Sequence, residues 1–239
     1  RGNRKARLAA WKLDPAVPQA TEAVKLLDSM DRLLDHLNAS DYRVTARAVT
    51  ARAITDDRDN LIVNNLTLPM LRQQRPGKDG HTLCITDFIN PDGSDIVTLF
   101  AVTAPEITLD NADDYTSLLL QSVCHRLAEA ATERLHRDLS GFTDSHTGIR
   151  PAVGYPMLPD QSLVHELDRQ LHYGQLGISI TEHGALHPSA TTTGLIIYSP
   201  DARYFDVGPI DREQLADYAD RRGQSPESTR PYLEHHTRR

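Results

Sequence analysis

An α+β fold, a mixed α/β arrangement built as a single domain on a twisted, mostly antiparallel sheet with flanking helices, follows from three observations. Two long stretches carry helical periodicity, at 21–37 and 111–138. At least four short runs of β-branched and aromatic residues are separated by turn residues. Helices and strands also do not alternate regularly, as a parallel sheet with crossover helices would require.

Within Thr21–Leu37, apolar residues fall at Val24, Leu27, Met30, Leu34 and Leu37, with Thr21 as the expected cap. Residues 38–41 end this helix. YRVTARAVTARAI (42–54) alternates small apolar residues with Arg and Thr and reads as a strand with one wet face, with LIVNN (61–65) as its hairpin partner. RPGKDG (75–80) is a loop. LCITDFI (83–89) and DIVTLFAVT (95–103) read as strands across a turn. The long helical pattern places Leu118, Leu119, Val123, Leu127, Ala130, Ala131 and Leu135 on one broad face. A helix follows from Ser162 to about His172, then a strand over Leu176–Thr181 and another at GLIIY (194–198). Asp211 with Gln214 forms a capping box for a helix reaching Arg222, and Ser225-Pro226 opens a last short one. The expected organisation is an N-terminal arm at 1–20, a domain at 21–233 and a polar tail at 234–239.

Composition narrows the function. The net charge is −7 with no basic stripe, which argues against nucleic acid as a partner. Cys84 and Cys124 stand apart and outside any CxxC pattern, against both a disulfide framework and a zinc knuckle. No apolar run approaches about 18 residues and no leader is evident, so a reduced, cytoplasmic setting with no membrane contact is expected. Neither GxGxxG nor GxxxxGK[ST] is present, and no Ser occupies a GxSxG elbow. His165-Glu166 lacks the second His of a zinc-binding helix. His125 and Glu129, and Glu129 and Glu133, share helix faces at i, i+4, as solvated pairs commonly do. Neither a metal ligand nor a catalytic residue is assigned.

GIRPAVGYPMLPDQ (148–161) is the unusual segment. Pro151 and Pro156 exclude a helix, and Gly154 permits close backbone approach. Backbone groups without ladder partners are expected there, suited to a flat heterocycle, and Arg150 offers a planar fork for a carboxylate. A small anionic or zwitterionic ligand fits these features; so does a rigid surface loop with an arginine ion pair.

The same segment resembles the signature of the S-adenosylmethionine-binding activation domain of cobalamin-dependent methionine synthase. LRQQ (71–74), TLCITDF (82–88), TLFAVTA (98–104), CHRLAEAATERLH (124–136), the stretch 180–210 and DREQLADYADRRG (211–223) are similar to family segments in the same order. The resemblance implies that Arg150 holds the ligand carboxylate, that backbone at Ala152, Gly154 and Tyr155 meets the adenosine, and that Glu129 and the Tyr204-Phe205 pair border it. It also puts Asn3 where the family has an Asp facing the ligand ammonium. His125 replaces an Asp, His187 an aromatic residue, and Thr191–Thr193 a run of smaller residues. The implied activity belongs to methionine biosynthesis. S-adenosylmethionine serves as methyl donor for reductive methylation of cobalamin, carried by a cobalamin-binding module and reduced by a flavodoxin-like electron donor. The chain would then contribute to a methyltransferase without a self-contained active site, in trans or as an excised domain. The alternative is a diverged, non-catalytic docking module for a cobalamin-binding protein.

Overall fold

The computed structural model describes residues 4–14, 16–77, 80–109, 113–140 and 148–233. Asn3 and the 234–239 tail therefore lie outside the described residues. The chain divides into two compact units, Arg1–Arg43 with Ile107–Val123, and Val44–Glu106 with Cys124–Arg239.

In the first unit, the expected arm contains a helix, α1 (Arg4–Ala10), and α2 follows over Pro18–Ala39. α2 starts three residues before the expected Thr21 because Pro18 suits the first helical turn, where no intrahelical N–H bond is lost. Leu8 is buried with Ala23 and Leu27. The Arg7 guanidinium donates to Asp31 at 2.9 Å.

The second unit is built on a five-stranded antiparallel sheet. Its strands are β1 (Thr45–Thr55), β2 (Asn60–Val63), β3 (Leu66–Pro69), β4 (Ile96–Thr103) and β7 (Thr191–Ile197), in the order β3-β2-β1-β4-β7. A separate two-stranded ribbon pairs β5 (Ser179–Ile180) with β6 (Leu186–His187). β4 is paired on both sides, and its register sets Phe100 opposite Ala48 of β1 and Leu99 opposite Leu195 of β7. One sheet face buries Val97, Leu99, Ala101, Leu195 and Ile197 against α4 (Leu163–Leu171) through Leu163, Val164, Leu167 and Leu171. The other buries Phe100, Val102 and Ile196 against Ala131 and Leu135. Burial on both faces explains why β4 reads as a continuous apolar run.

α3 (Asp114–Ser140) is the long helix, and from Cys124 onward it belongs to this unit. Its buried stripe there is Cys124, Ala128, Thr132 and His136, one residue per turn. The expected face is corrected accordingly: Leu118 is exposed, as is Ala130. LCITDFI is likewise not a strand. Ile85–Phe88 form a 3-10 turn because the Asp87 carboxylate accepts from the Cys84 N–H at 2.8 Å, closing the chain on itself. The strand expected over Leu176–Thr181 shortens to β5, preceded by a 3-10 turn at Tyr173–Leu176. α5 (Arg212–Arg221) and α6 (Pro226–Thr229) match the expected C-terminal helices. The Asp211 carboxylate accepts from Gln214 N–H at 2.9 Å, but the Gln214 amide donates to the Arg72 carbonyl, so only half of the capping box forms.

Arg72 joins three parts of the unit. Its guanidinium donates to both carboxylate oxygens of Asp59, to both of Asp87 and to the Thr82 carbonyl. Burial pushes the Asp59 carboxyl up, but the hydrogen bonds from Arg72 and Thr86 outweigh it and hold Asp59 below the ordinary carboxylate range. A carboxylate depressed in this way contributes stability above its unfolded pKa, about 4, and loses it as pH falls through the folded value. Arg72→Met should therefore lower stability at pH 7 by about 1–3 kcal/mol, allowing for the partial exposure of the pair. It should also narrow the stability gap between pH 7 and pH 3. Urea unfolding at both pH values checks this; an unchanged gap means that Arg72 does not hold the Asp59 charge.

Candidate functional site

The Pro-rich segment lies along the free edge of the sheet. Ile149 and Ile197 exchange both backbone hydrogen bonds at 2.9 Å, Leu195 N–H donates to the Pro151 carbonyl at 3.0 Å, and Val153 N–H to the Thr193 carbonyl at 2.9 Å. Residues 149–153 thus run antiparallel to β7 as a short additional strand, bridged at Ile149–Ile197 and Ala152–Gly194. The expectation of backbone without ladder partners holds for alternate residues only, and there the Ala152 carbonyl accepts from Tyr155 N–H at 3.3 Å. Ile149, Pro151 and Val153 are committed to β7, whereas the polar backbone of Arg150 and Ala152 turns the other way. The Arg150 N–H donates to the Tyr204 hydroxyl at 2.9 Å.

Two glycines permit this geometry. A Cβ on Gly194 would lie 2.2 Å from the Pro151 carbonyl oxygen and 2.8 Å from the Ala152 Cα, both backbone atoms with little room to yield. Gly154 has φ +85, a left-handed conformation that lets the chain turn back so that its N–H meets the Leu158 carbonyl at 2.9 Å. Beyond that turn, the buried Asp160 accepts from Ser162 N–H and hydroxyl at 2.8 and 2.7 Å, and from the Tyr218 hydroxyl on α5 at 2.7 Å. Arg222 lies 3.8 Å from the same carboxylate. Burial, with the Asp160 charge beside it, raises the Tyr218 hydroxyl well above its ordinary pKa, so it stays a donor. The segment is therefore fixed at both ends.

Between this edge strand and α3 lies a cavity of about 760 Å³, walled by α3, residues 150–157, Thr192 of β7 and residues 204–206. It brings together Arg150, Ala152, Tyr155, Glu129, Tyr204 and Phe205 among the residues singled out from sequence. Gly154 sits between its walls in sequence without lining it. Asn3 lies outside the described residues. Sequence reasoning did not assign Arg126, Glu133, Met157 or Thr192 to the site. Glu133 was visible only as the second acid of an i, i+4 pair, and Arg126 carried no signal beyond its place three residues before Glu129.

The cavity is a field of opposed charges. Arg126 pairs with Glu129 at 2.7 Å, and Arg150 with Glu133 at 3.7 Å. Tyr155 and Tyr204 are each 60% exposed at the cavity's edge. An adjoining recess of about 450 Å³ shares Glu129, Ala152, Tyr155 and Thr192 and adds His125 and His183. His187 instead pairs with Glu106 at 3.6 Å. Thr191 and Thr193 are structural. Thr191 donates to the Pro188 carbonyl at 2.7 Å, and Thr193 donates to the Phe100 carbonyl while meeting the Tyr173 hydroxyl at 2.6 Å. Cys84 and Cys124 are buried and unpaired with each other, and burial pushes the Cys84 thiol up to about 11, so it stays protonated. Among the described residues no cluster of metal-ligating side chains occurs, and no helix is long and apolar enough to cross a membrane.

These features define an α+β domain in which an antiparallel sheet and one helix present paired cations and anions to an open cavity. Residues 7–223 match the family described as vitamin B12 dependent methionine synthase, activation domain, and the chain belongs to that family. The fold is similar to the crystal structure of the MetH reactivation domain bound to AdoHcy, with a TM-score of 0.83 and 24% identity, covering 97% of this chain and 84% of that one.

Gly194→Ala should force the edge strand from β7, costing about 1–3 kcal/mol as an overpacked site does. Amide exchange at Ile149 and Val153 should accelerate while that of β4 stays slow. Unchanged exchange at those two amides would show that the close approach does not need glycine.

Proposed function

We propose that the cavity binds S-adenosylmethionine and presents its methyl group to cobalamin on a cobalamin-binding module of methionine synthase. The observation that carries this is the convergence on one cavity of an arginine fork, acidic side chains, aromatic rings and outward-facing edge-strand backbone. Each answers a different part of that ligand. Its volume lies within the range of small-molecule sites. Arg150 takes the carboxylate through charge-assisted hydrogen bonds. Backbone at Ala152 and Tyr155 receives the adenosine, and Gly154, whose N–H is turned to the Leu158 carbonyl, forms the turn between them. Tyr204 and Phe205 offer ring faces to the sulfonium, as aromatic faces attract cations. Glu129 supplies an acceptor to the ribose or the positive sulfur. Asn3 is a further candidate contact for the ligand ammonium. The relative with the similar fold was seen with AdoHcy, the product that remains once the methyl has been given up.

Cobalamin on the partner supplies the nucleophile that accepts the methyl group, and a flavodoxin-like protein is the expected source of the reducing electron. The chain's own share is to bind, orient and leave one side of the ligand accessible. No proton needs to be moved by a side chain in such a transfer. The exposed Tyr155 and Tyr204 give the open side a surface on which a partner can rest. The second reading is a docking module that no longer uses the methyl donor; the replacement of an Asp by His125, exposed on α3 and beside the adjoining recess, favours it.

Calorimetric titration of S-adenosylmethionine separates the two. The parent should bind, and Arg150→Ala should weaken binding by about tenfold to a hundredfold, the worth of a charged hydrogen-bonded contact. Equal binding by both proteins contradicts the assignment of Arg150. Folded parent protein that binds nothing at millimolar ligand favours the docking module.

A further inference from the structure

Among the described residues, the acid nearest Arg150 is not Glu129 but Glu133, one helical turn further along α3. Its Oε2 lies 3.7 Å from the Arg150 guanidinium, and its Oε1 lies 3.7 Å from that of Arg137. Glu129 makes its own pair with Arg126. In an α-amino acid the ammonium and carboxylate hang from the same carbon. Once Arg150 holds the carboxylate, an acid standing beside Arg150 is well placed for the ammonium. Side chains one turn apart on a helix are about 5–6 Å apart at Cβ, so Glu129 is placed for groups further along the ligand. The positive sulfur, three bonds beyond the α-carbon, lies in that direction.

We propose that Glu133 binds the ligand ammonium in this cavity and selects zwitterionic α-amino-acid ligands. This rests on the S-adenosylmethionine reading and adds to it a residue that the sequence did not assign. On binding, the ligand inserts its carboxylate and ammonium between Arg150 and Glu133. One loose, partly exposed ion pair is replaced by two charge-assisted contacts of opposite sense. Arg137, one turn on, pairs with the other Glu133 oxygen at 3.7 Å. Arg150 and Glu133, paired at 3.7 Å before binding, separate to admit the ligand's two charged groups.

The test crosses two ligands with two proteins. S-adenosylmethionine and its deaminated 2-oxo acid analogue, which keeps carboxylate and sulfonium but has no ammonium, are titrated into the parent and into Glu133→Gln. Glu133 is about half exposed and glutamine is isosteric, so the thermal midpoint should be unchanged. The variant should bind S-adenosylmethionine about tenfold more weakly than the parent, and both proteins should bind the deaminated analogue within about twofold of each other. Equal or tighter binding of S-adenosylmethionine by the variant overturns the proposal, since Glu133 would then be idle or merely compete for Arg150. Equal losses with both ligands overturn it too, because Glu133 would then act by positioning Arg150. Arg137→Gln is the second variant. It should cost much less than Glu133→Gln, and an equal cost assigns the effect to the helix charge pair instead. A parent that binds neither ligand removes the S-adenosylmethionine reading itself, and this proposal with it. That arm is read on the parent alone, so the two failures are distinguishable.

Discussion

An edge strand can join a sheet only if its neighbour lets the two backbones approach. Here the neighbour is β7, and the permission is the missing side chain of Gly194, with the Pro151 carbonyl occupying the space a Cβ would need. Much of the site follows from that contact. Pairing with β7 consumes the backbone groups of Ile149, Pro151 and Val153 and turns those of Arg150 and Ala152 outward. Proline at 151 forgoes one ladder bond, because its nitrogen lies on the β7 side and offers the Leu195 carbonyl no N–H, so only its own carbonyl pairs there. The same pairing brings Arg150 to the side chains of α3, which reaches the opposite sheet face through Ala131 and Leu135. The cavity is the gap between a helix and an edge strand that are both anchored to one sheet.

The supporting network acts at a distance from the ligand. Asp160, Tyr218 and Arg222 tie the far end of the segment to α5, while Arg72 ties the turn at Asp59 and the 3-10 turn at Ile85–Phe88 to the same helix through Gln214. Asp160 and Arg222 are buried, and Arg72 with Asp59 and Asp87 is partly so; desolvation offsets most of the attraction in such pairs, so their net contribution to stability is modest. Their role here is to hold a loop-like stretch with no helix of its own in one conformation.

Much of this was legible in the sequence, for physical reasons that can be traced. β4 declared itself because burial on both faces demands an unbroken apolar run. α4 and α5 declared themselves through periodicity and through Asp211. The cavity residues on the Pro-rich segment stood out because proline, glycine and arginine together suit few purposes. What stayed hidden depended on distant partners. LCITDFI has strand-like composition, and only the bond from Cys84 N–H to Asp87, with Arg72 behind it, turns it into a 3-10 turn. The buried stripe of α3 carries Cys124, Ala128, Thr132 and His136, small or polar residues that a hydrophobic pattern ignores in favour of the exposed Leu118. Glu133 looked like one acid among several because its distance to Arg150 exists only after folding. The pairing of residues 149–153 with β7 was invisible for the same reason.

The most direct measurement is amide hydrogen exchange with and without S-adenosylmethionine. The ligand should slow exchange at residues 150–157 and 203–206, the outward-facing edge strand and the aromatic pair, and leave the Arg72 network unchanged. Slowed exchange at that network, or nowhere, with the edge strand unaffected, would contradict the placement of the ligand between α3 and the edge strand.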